Sequence, residues 1–219
     1  MLNQTAHSPT PLASKLWRIG AQVVSYVWHP LFIPTYLFLF LMYQFPYEFA
    51  GITEWQLKMK LFGTFWLTAF FPAFAVFLLW RLKFSDSIFL RTQKERIIPY
   101  AITMFFYWWM YYLSRSFTDQ PAALKFFYFG IFTATIIGSV INNFIKISLH
   151  GIAMGGAVAA MLLIAFYYHT ALGIPISITV VLAGLVCSSR LIVSNHTTTE
   201  IYSGLVVGIV SQLIGYWFV

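Results

Sequence analysis

Long apolar stretches alternate with short polar segments along the sequence. Seven of the stretches are long enough to cross a membrane as helices, because a crossing needs about 20 mostly apolar residues. They cover about residues 26–46, 61–82, 97–114, 124–145, 151–168, 171–189 and 202–219. Pro30 and Pro34 interrupt the start of the first stretch, and proline breaks a helix because it lacks a backbone donor. The pattern predicts an all-α protein, a polytopic transmembrane helix bundle of six to seven spans.

The composition agrees with this class of protein. Of the 219 residues, 60 % are hydrophobic and 9 % are charged, whereas a soluble domain carries about 25 % charged residues. So much apolar surface needs a bilayer to cover it. The connections between the stretches are short, which predicts a single transmembrane domain over residues 26–219. A polar, amphipathic tail over residues 1–25 precedes that domain.

Three polar segments are predicted to meet at one membrane surface. They run from Lys83 to Pro99, from Lys146 to Gly156 and from Ser188 to Gly204. Two predicted crossings separate each segment from the next, so the chain returns to the same side of the membrane each time. The connections on the other side contain no comparable concentration of histidine and arginine.

The segment from Ser188 to Gly204 contains a candidate nucleophile with a carboxylate to orient it. Glu200 follows His196 by four residues, so the two side chains share a face on a helix. The carboxylate can then fix the imidazole tautomer and make the ring more nucleophilic. Glu200 also completes a capping box with Thr197. Arg190 offers a planar fork for phosphate oxygens, although a cation at a helix end is also typical of an interfacial anchor.

The segment that begins at Lys146 predicts a helix N-terminus that faces the same surface. Ser148 has the residue type of an N-cap, and the amide groups after an N-cap form a ready anion site. His150 lies at this terminus. The glycines at 151, 155 and 156 favour close packing against another helix.

The first segment supplies the cations Arg91, Lys94 and Arg96 before a predicted helix that Pro99 helps to start. A positive flank of a transmembrane helix has the same pattern. The net charge of +7 favours anionic lipid or phosphate as a partner. Nucleic acid is not expected, because the basic residues are scattered through short loops. Cys187 is the single cysteine, which excludes a metal site built from several cysteines.

The last polar segment resembles the third signature of the type 2 phosphatidic acid phosphatase superfamily. That signature is Ser-Arg, five residues, His, three residues and Asp. Ser189, Arg190 and His196 match it in type and spacing, and Glu200 stands in the place of the Asp.

The two earlier segments resemble the other two signatures, in the same order along the chain. Ser148 and His150 match the second signature, Pro-Ser-Gly-His, with isoleucine and leucine in place of its Pro and Gly. The first signature is Lys, six residues and Arg-Pro. Counted back from the proline, Arg91 takes the place of the Lys and Ile98 that of the Arg, with Arg96 two residues earlier.

This resemblance implies a metal-independent lipid phosphatase without a cofactor. His196 would attack phosphorus and form a phosphohistidine, Glu200 would orient His196, and His150 would protonate the leaving alcohol. The residues implied to bind the phosphoryl oxygens are Arg91, Arg96, Ser148, Gly151, Ser189 and Arg190.

The expected substrate is a lipid phosphate or a prenyl (di)phosphate, and the expected location is a bacterial inner (cytoplasmic) membrane. The same cations also suit a lipid-phosphate binder or transporter without turnover, or a membrane phosphotransferase. For His29, in the stretch "WHPLFIP", a structural or gating role is favoured over a catalytic one.

Overall fold

The computed structural model describes residues 11–90, 92–193 and 196–219, with the backbone alone for residues 11–13. The described residues are 82 % helical and contain no strand, which confirms the all-α prediction. Nine α-helices follow one another along this part of the chain. They are α1 (Pro11–Val27), α2 (Ile33–Gln44), α3 (Glu54–Phe65), α4 (Phe71–Arg81), α5 (Gln93–Ser116), α6 (Ala122–Asn142), α7 (Leu149–Tyr167), α8 (Gly173–Val193) and α9 (Thr198–Phe218).

Six helical segments in the described part of the chain are long and apolar enough to cross a membrane. They are Ser14–Gln44, Glu54–Arg81, Ala122–Asn142, Leu149–Tyr167, Gly173–Val193 and Thr198–Phe218. The 24 residues of α5 are also long enough for a crossing, but this helix begins with the charged and polar run "QKER". The protein is therefore an integral membrane protein.

The first membrane-crossing segment, Ser14–Gln44, is broken at Pro30, near the predicted interruption. Its helix begins earlier than the predicted start at about residue 26. Pro30 opens a short 3₁₀ turn that ends at Phe32, and α2 starts directly after it. Helix α1 occupies much of the region that we predicted to be a tail, and it packs against α8. The division at residue 26 thus falls inside a helix.

Glycines allow α7 and α9 to pack with their backbones almost in contact. A Cβ atom added to Gly151 would lie 2.7 Å from the carbonyl oxygen of Ile201, and one added to Gly155 would overlap the backbone of Leu205. On the facing helix, a Cβ added to Gly204 would lie 2.6 Å from the carbonyl oxygen of Ser148. The prediction of close packing is confirmed for Gly151 and Gly155. At Gly156 an added Cβ would make only ordinary contacts.

Hydrogen bonds join the three polar segments at one end of the bundle. A terminal nitrogen of Arg96 donates to the carbonyl oxygen of Ile147 at 2.9 Å, so the start of α5 lies beside the start of α7. The backbone N–H of Ser148 donates to the carbonyl oxygen of Glu200 at 3.1 Å, which joins the starts of α7 and α9. The structure therefore brings the three segments together.

The opposite end of the bundle has its own polar contacts. Lys60 forms an ion pair with Asp119 at 2.6 Å, and the Tyr168 hydroxyl donates to Glu48 at 2.9 Å. The Lys60 ammonium holds the pKa of Asp119 below its usual value, mainly through their hydrogen bond. His169 and Arg115 also lie at this end, whereas His29, Arg96, His150, Arg190 and His196 lie where the three polar segments meet.

Candidate functional site

A cavity of about 850 Å³ opens among the three polar segments and continues into the bundle. Helices α1, α5, α7 and α8, together with the connection from α1 to α2 and the loops before α7 and α9, contribute the polar and charged side chains around its mouth. These residues include Ser25, Tyr26, His29, Arg96, Lys146, His150, Arg190 and His196. Neither aspartate nor glutamate occurs among the described residues that line the cavity. The mouth is therefore strongly basic.

His196 and Glu200 form a hydrogen-bonded pair at this mouth. Nδ1 of His196 lies 2.7 Å from Oε2 of Glu200. A carboxylate only accepts, so Nδ1 carries the hydrogen and Nε2 keeps a free lone pair in the neutral ring. The same oxygen of Glu200 also accepts from the backbone N–H of Thr197 at 3.2 Å, as part of a capping box that begins α9. Glu200 therefore caps the helix and contacts the imidazole at the same time, as the sequence allows.

The surroundings of His196 keep its imidazole neutral. Burial lowers its pKa below the ordinary value, and the positive charges of Arg96 and Lys146 act in the same direction. The hydrogen bond to Glu200 opposes them. A neutral ring with a free Nε2 is the form in which histidine acts as a nucleophile.

His150 is held in place by a backbone carbonyl of α1. Its Nε2 lies 3.0 Å from the carbonyl oxygen of Ser25. Because a carbonyl only accepts, Nε2 carries the hydrogen, and Nδ1 is the nitrogen that can exchange a proton with a ligand. Ser25 lies in the last turn of α1, where helical carbonyls lack intrahelical partners and favour a nearby positive charge.

His29 is a third imidazole at the site, and the resemblance does not include it. Its ring meets the ring of His150 edge to face, with 5.4 Å between the centroids. Nδ1 of His29 lies 3.4 Å from the backbone nitrogen of Leu31, which can donate to it. The pair His29–Pro30 follows α1 after one residue, Trp28. This His-Pro sequence after an amphipathic helix is the signal that could have indicated the position.

Arg96 connects two of the polar segments while it lines the cavity. Its Nε donates to the carbonyl oxygen of Leu90 at 3.0 Å, and a terminal nitrogen donates to that of Ile147 at 2.9 Å. Lys146 and Arg190 line the same cavity. Burial, followed by the charge of Arg96, lowers the pKa of Lys146. A bound anion would relieve this crowding of positive charge.

Three predicted phosphate ligands have other partners. The Ser148 hydroxyl caps α7 by accepting from the backbone N–H of Gly151 at 3.2 Å, which confirms the N-cap and occupies that amide. The Ser189 hydroxyl donates to the carbonyl oxygen of Leu185 within α8 at 2.7 Å. None of these three residues lines the cavity. Arg91 lies outside the described residues.

The site is thus a basic cavity lined by the imidazoles of His29, His150 and His196, of which His196 is hydrogen-bonded to a carboxylate. Within the described residues, no group of three or more His, Cys, Asp or Glu side chains could hold a metal ion. No protein-family model, curated protein or solved structure matches this chain. Any functional assignment therefore depends on the geometry of the site.

Proposed function

We propose that this protein is a membrane phosphatase that hydrolyses a lipid phosphate or prenyl diphosphate through a phosphohistidine. One observation carries the proposal. The ring of His196, oriented by Glu200, faces a basic cavity that also contains His150. A metal-independent phosphatase needs these parts: a nucleophile, a proton donor and cations for the phosphoryl oxygens.

In the first step, Nε2 of His196 attacks phosphorus and a P–N bond forms while the P–O bond to the lipid breaks. Arg96 and Arg190 neutralise charge on the phosphoryl oxygens. A lipid alkoxide is a poor leaving group and needs a proton. Nδ1 of His150 takes the proton that a phosphate monoanion brings into the site and passes it to the leaving oxygen. The lipid alcohol then departs, and Glu200 stabilises the charge that develops on the His196 ring.

In the second step, a water molecule attacks the phosphohistidine. His150, now neutral, takes a proton from that water, and the P–N bond breaks to release phosphate. The same residue thus acts as acid and then as base, as microscopic reversibility requires. The hydrogen bond from Nε2 of His150 to Ser25 keeps Nδ1 aimed in both steps.

The test separates the two histidines with an aryl phosphate, because nitrophenolate leaves without a proton. The variant His150→Gln keeps a donor for the carbonyl of Ser25 but has no base. We expect it to release about one nitrophenolate per protein in a burst and then to accumulate an acid-labile, base-stable phosphohistidine. It should not cleave lipid phosphates.

Two matched variants serve as controls in the same assay. The variant His196→Gln should show neither a burst nor trapped phosphate. The variant His169→Gln changes an exposed histidine in the loop after α7, far from the site, and should behave like the wild type. A burst in His196→Gln would refute the nucleophile. Lipid-phosphate binding without phosphate release in EDTA would favour a binder or transporter.

A further inference from the structure

The cavity continues far below the charged groups. Gln212, which lines it, lies about 21 Å from the start of α9 at 1.5 Å per residue. Phe127 of α6 lines it at a similar depth. The hydrocarbon core of a bilayer is about 30 Å thick, so the cavity reaches roughly two-thirds of the way through it. We call this deep part the well; Phe127, Ile131, Ala134, Ala153, Gly156 and Gln212 line it.

Most of the wall of the well is apolar, although Thr103, Tyr107 and Thr135 also line the cavity. The side chain of Gln212 closes the floor: it is 1 % exposed, and its Nε2 lies 3.4 Å from the carbonyl oxygen of Phe127. Its amide group packs over Gly130 of α6, where an added Cβ atom would lie 2.6 Å from it. The end of a hydrocarbon chain in the well therefore meets the Gln212 side chain.

We propose that the well holds one hydrocarbon chain of the lipid phosphate, and that Gln212 limits the length of that chain. The inference rests on the proposed function, since the basic mouth must hold the phosphate at the top of the chain. The well is continuous with that mouth, so a bound headgroup places its own chain at the opening. The chain then descends into the bundle instead of remaining in the bilayer.

Gly156 gives direct control over the space within the well. It lines the cavity about 10 Å below the start of α7. A Cβ atom added there would lie 3.7 Å from the carbonyl oxygen of Gly208 and 3.8 Å from Cγ of Gln212. These are ordinary contacts, so a methyl group fits at this position. Because Gly156 lines the well, a larger side chain there takes space that a ligand chain would need.

The experiment measures binding of alkyl phosphonates, whose P–C bond is not hydrolysed, to protein in nanodiscs by thermal shift. Affinity should rise with chain length by about fourfold for each buried methylene, up to a limit. Gly156→Leu shortens the well and should move the limit to shorter chains. Gln212→Ala removes the side chain that closes the floor and should move the limit to longer chains. Gly184→Leu, on an exposed face of α8, is the matched control and should leave the limit unchanged.

An unchanged limit in both Gly156→Leu and Gln212→Ala would overturn the inference. If Gly156→Leu does not fold, Gly156→Ala and Gln212→Ala still test it. Phosphonate binding needs no turnover, so the result is independent of the phosphatase assay. If the chain-length limit shifts but no phosphate is released, the chain site is supported and catalysis is refuted. If phosphate is released but the limit does not shift, catalysis is supported and the chain site is refuted.

Discussion

A single oxygen of Glu200 serves both the fold and the site. It accepts from Nδ1 of His196 and from the backbone N–H of Thr197. The cap fixes where α9 begins, and the position of that start sets the distance from the carboxylate to the ring. The orientation of His196 is therefore coupled to helix capping, so a change at Glu200 alters both.

The titration of His196 gives a direct test of its environment. Burial places its pKa below the ordinary 6.5, so protonation of the ring opposes folding and stability falls as the pH decreases below that value. Glu200 raises the pKa, so Glu200→Gln should move the midpoint to still lower pH. Histidine NMR in micelles measures both midpoints, with His196→Ala to assign the signal. A midpoint above 6.5, or an upward shift in Glu200→Gln, would contradict this account.

The pairing of His196 with Glu200 was predicted from the four-residue spacing of a helix. The contact exists, but His196 lies just before the N-cap Thr197, so the capping turn and not a shared helical face brings the two side chains together. The contact between His150 and Ser25 could not be predicted. It joins residues 125 positions apart, and one partner is a backbone carbonyl, which carries no signal in the residue type. His29 was noticed for its type alone, and its place beside His150 follows from where α1 ends.

At the level of helices, N-cap residues and capping boxes predict where a helix begins better than prolines do. Thr92 and Glu95 form a capping box at the start of α5, and the same pattern of residue types is visible in the sequence. The prediction was anchored instead on Pro99, which lies inside the helix. The N-cap at Ser148 and the capping box at Thr197 were predicted from their residue types, and the structure confirms both.

The close approach of α7 and α9 predicts an unequal response to two glycine substitutions. In Gly155→Ala the new methyl group would overlap the backbone of Leu205, so the helices must separate, at a cost of about 1–3 kcal/mol. Gly184→Ala meets nothing within 4 Å and should stabilise α8 by about 0.4–1 kcal/mol, because alanine restricts the unfolded chain. Thermal unfolding in micelles compares them. Equal midpoints would show that α7 and α9 are not in backbone contact.

Across the whole molecule, the number of crossings between polar segments determines how the site is assembled. Two antiparallel helices, α5 and α6, separate the first segment from the second, and α7 and α8 separate the second from the third. This arithmetic needs only the lengths of the apolar stretches, so the sequence alone could predict that the segments meet. The course of the first membrane-crossing segment, Ser14–Gln44, could not be predicted in the same way. Pro30 and Pro34 interrupt it, so its direction depends on tertiary packing.

Accessibility to a membrane-impermeant maleimide tests this arrangement in a Cys187→Ser background. Single cysteines at the exposed positions Asp86, Asn143 and Thr199 lie at the end of the bundle that contains the site. All three should react from the same side of sealed vesicles. A cysteine at Glu54, at the other end, should react only in vesicles of the opposite orientation. If positions 143 and 199 react from opposite sides of the membrane, the loop before α7 and the start of α9 lie on different sides. The polar segments could not then form one site.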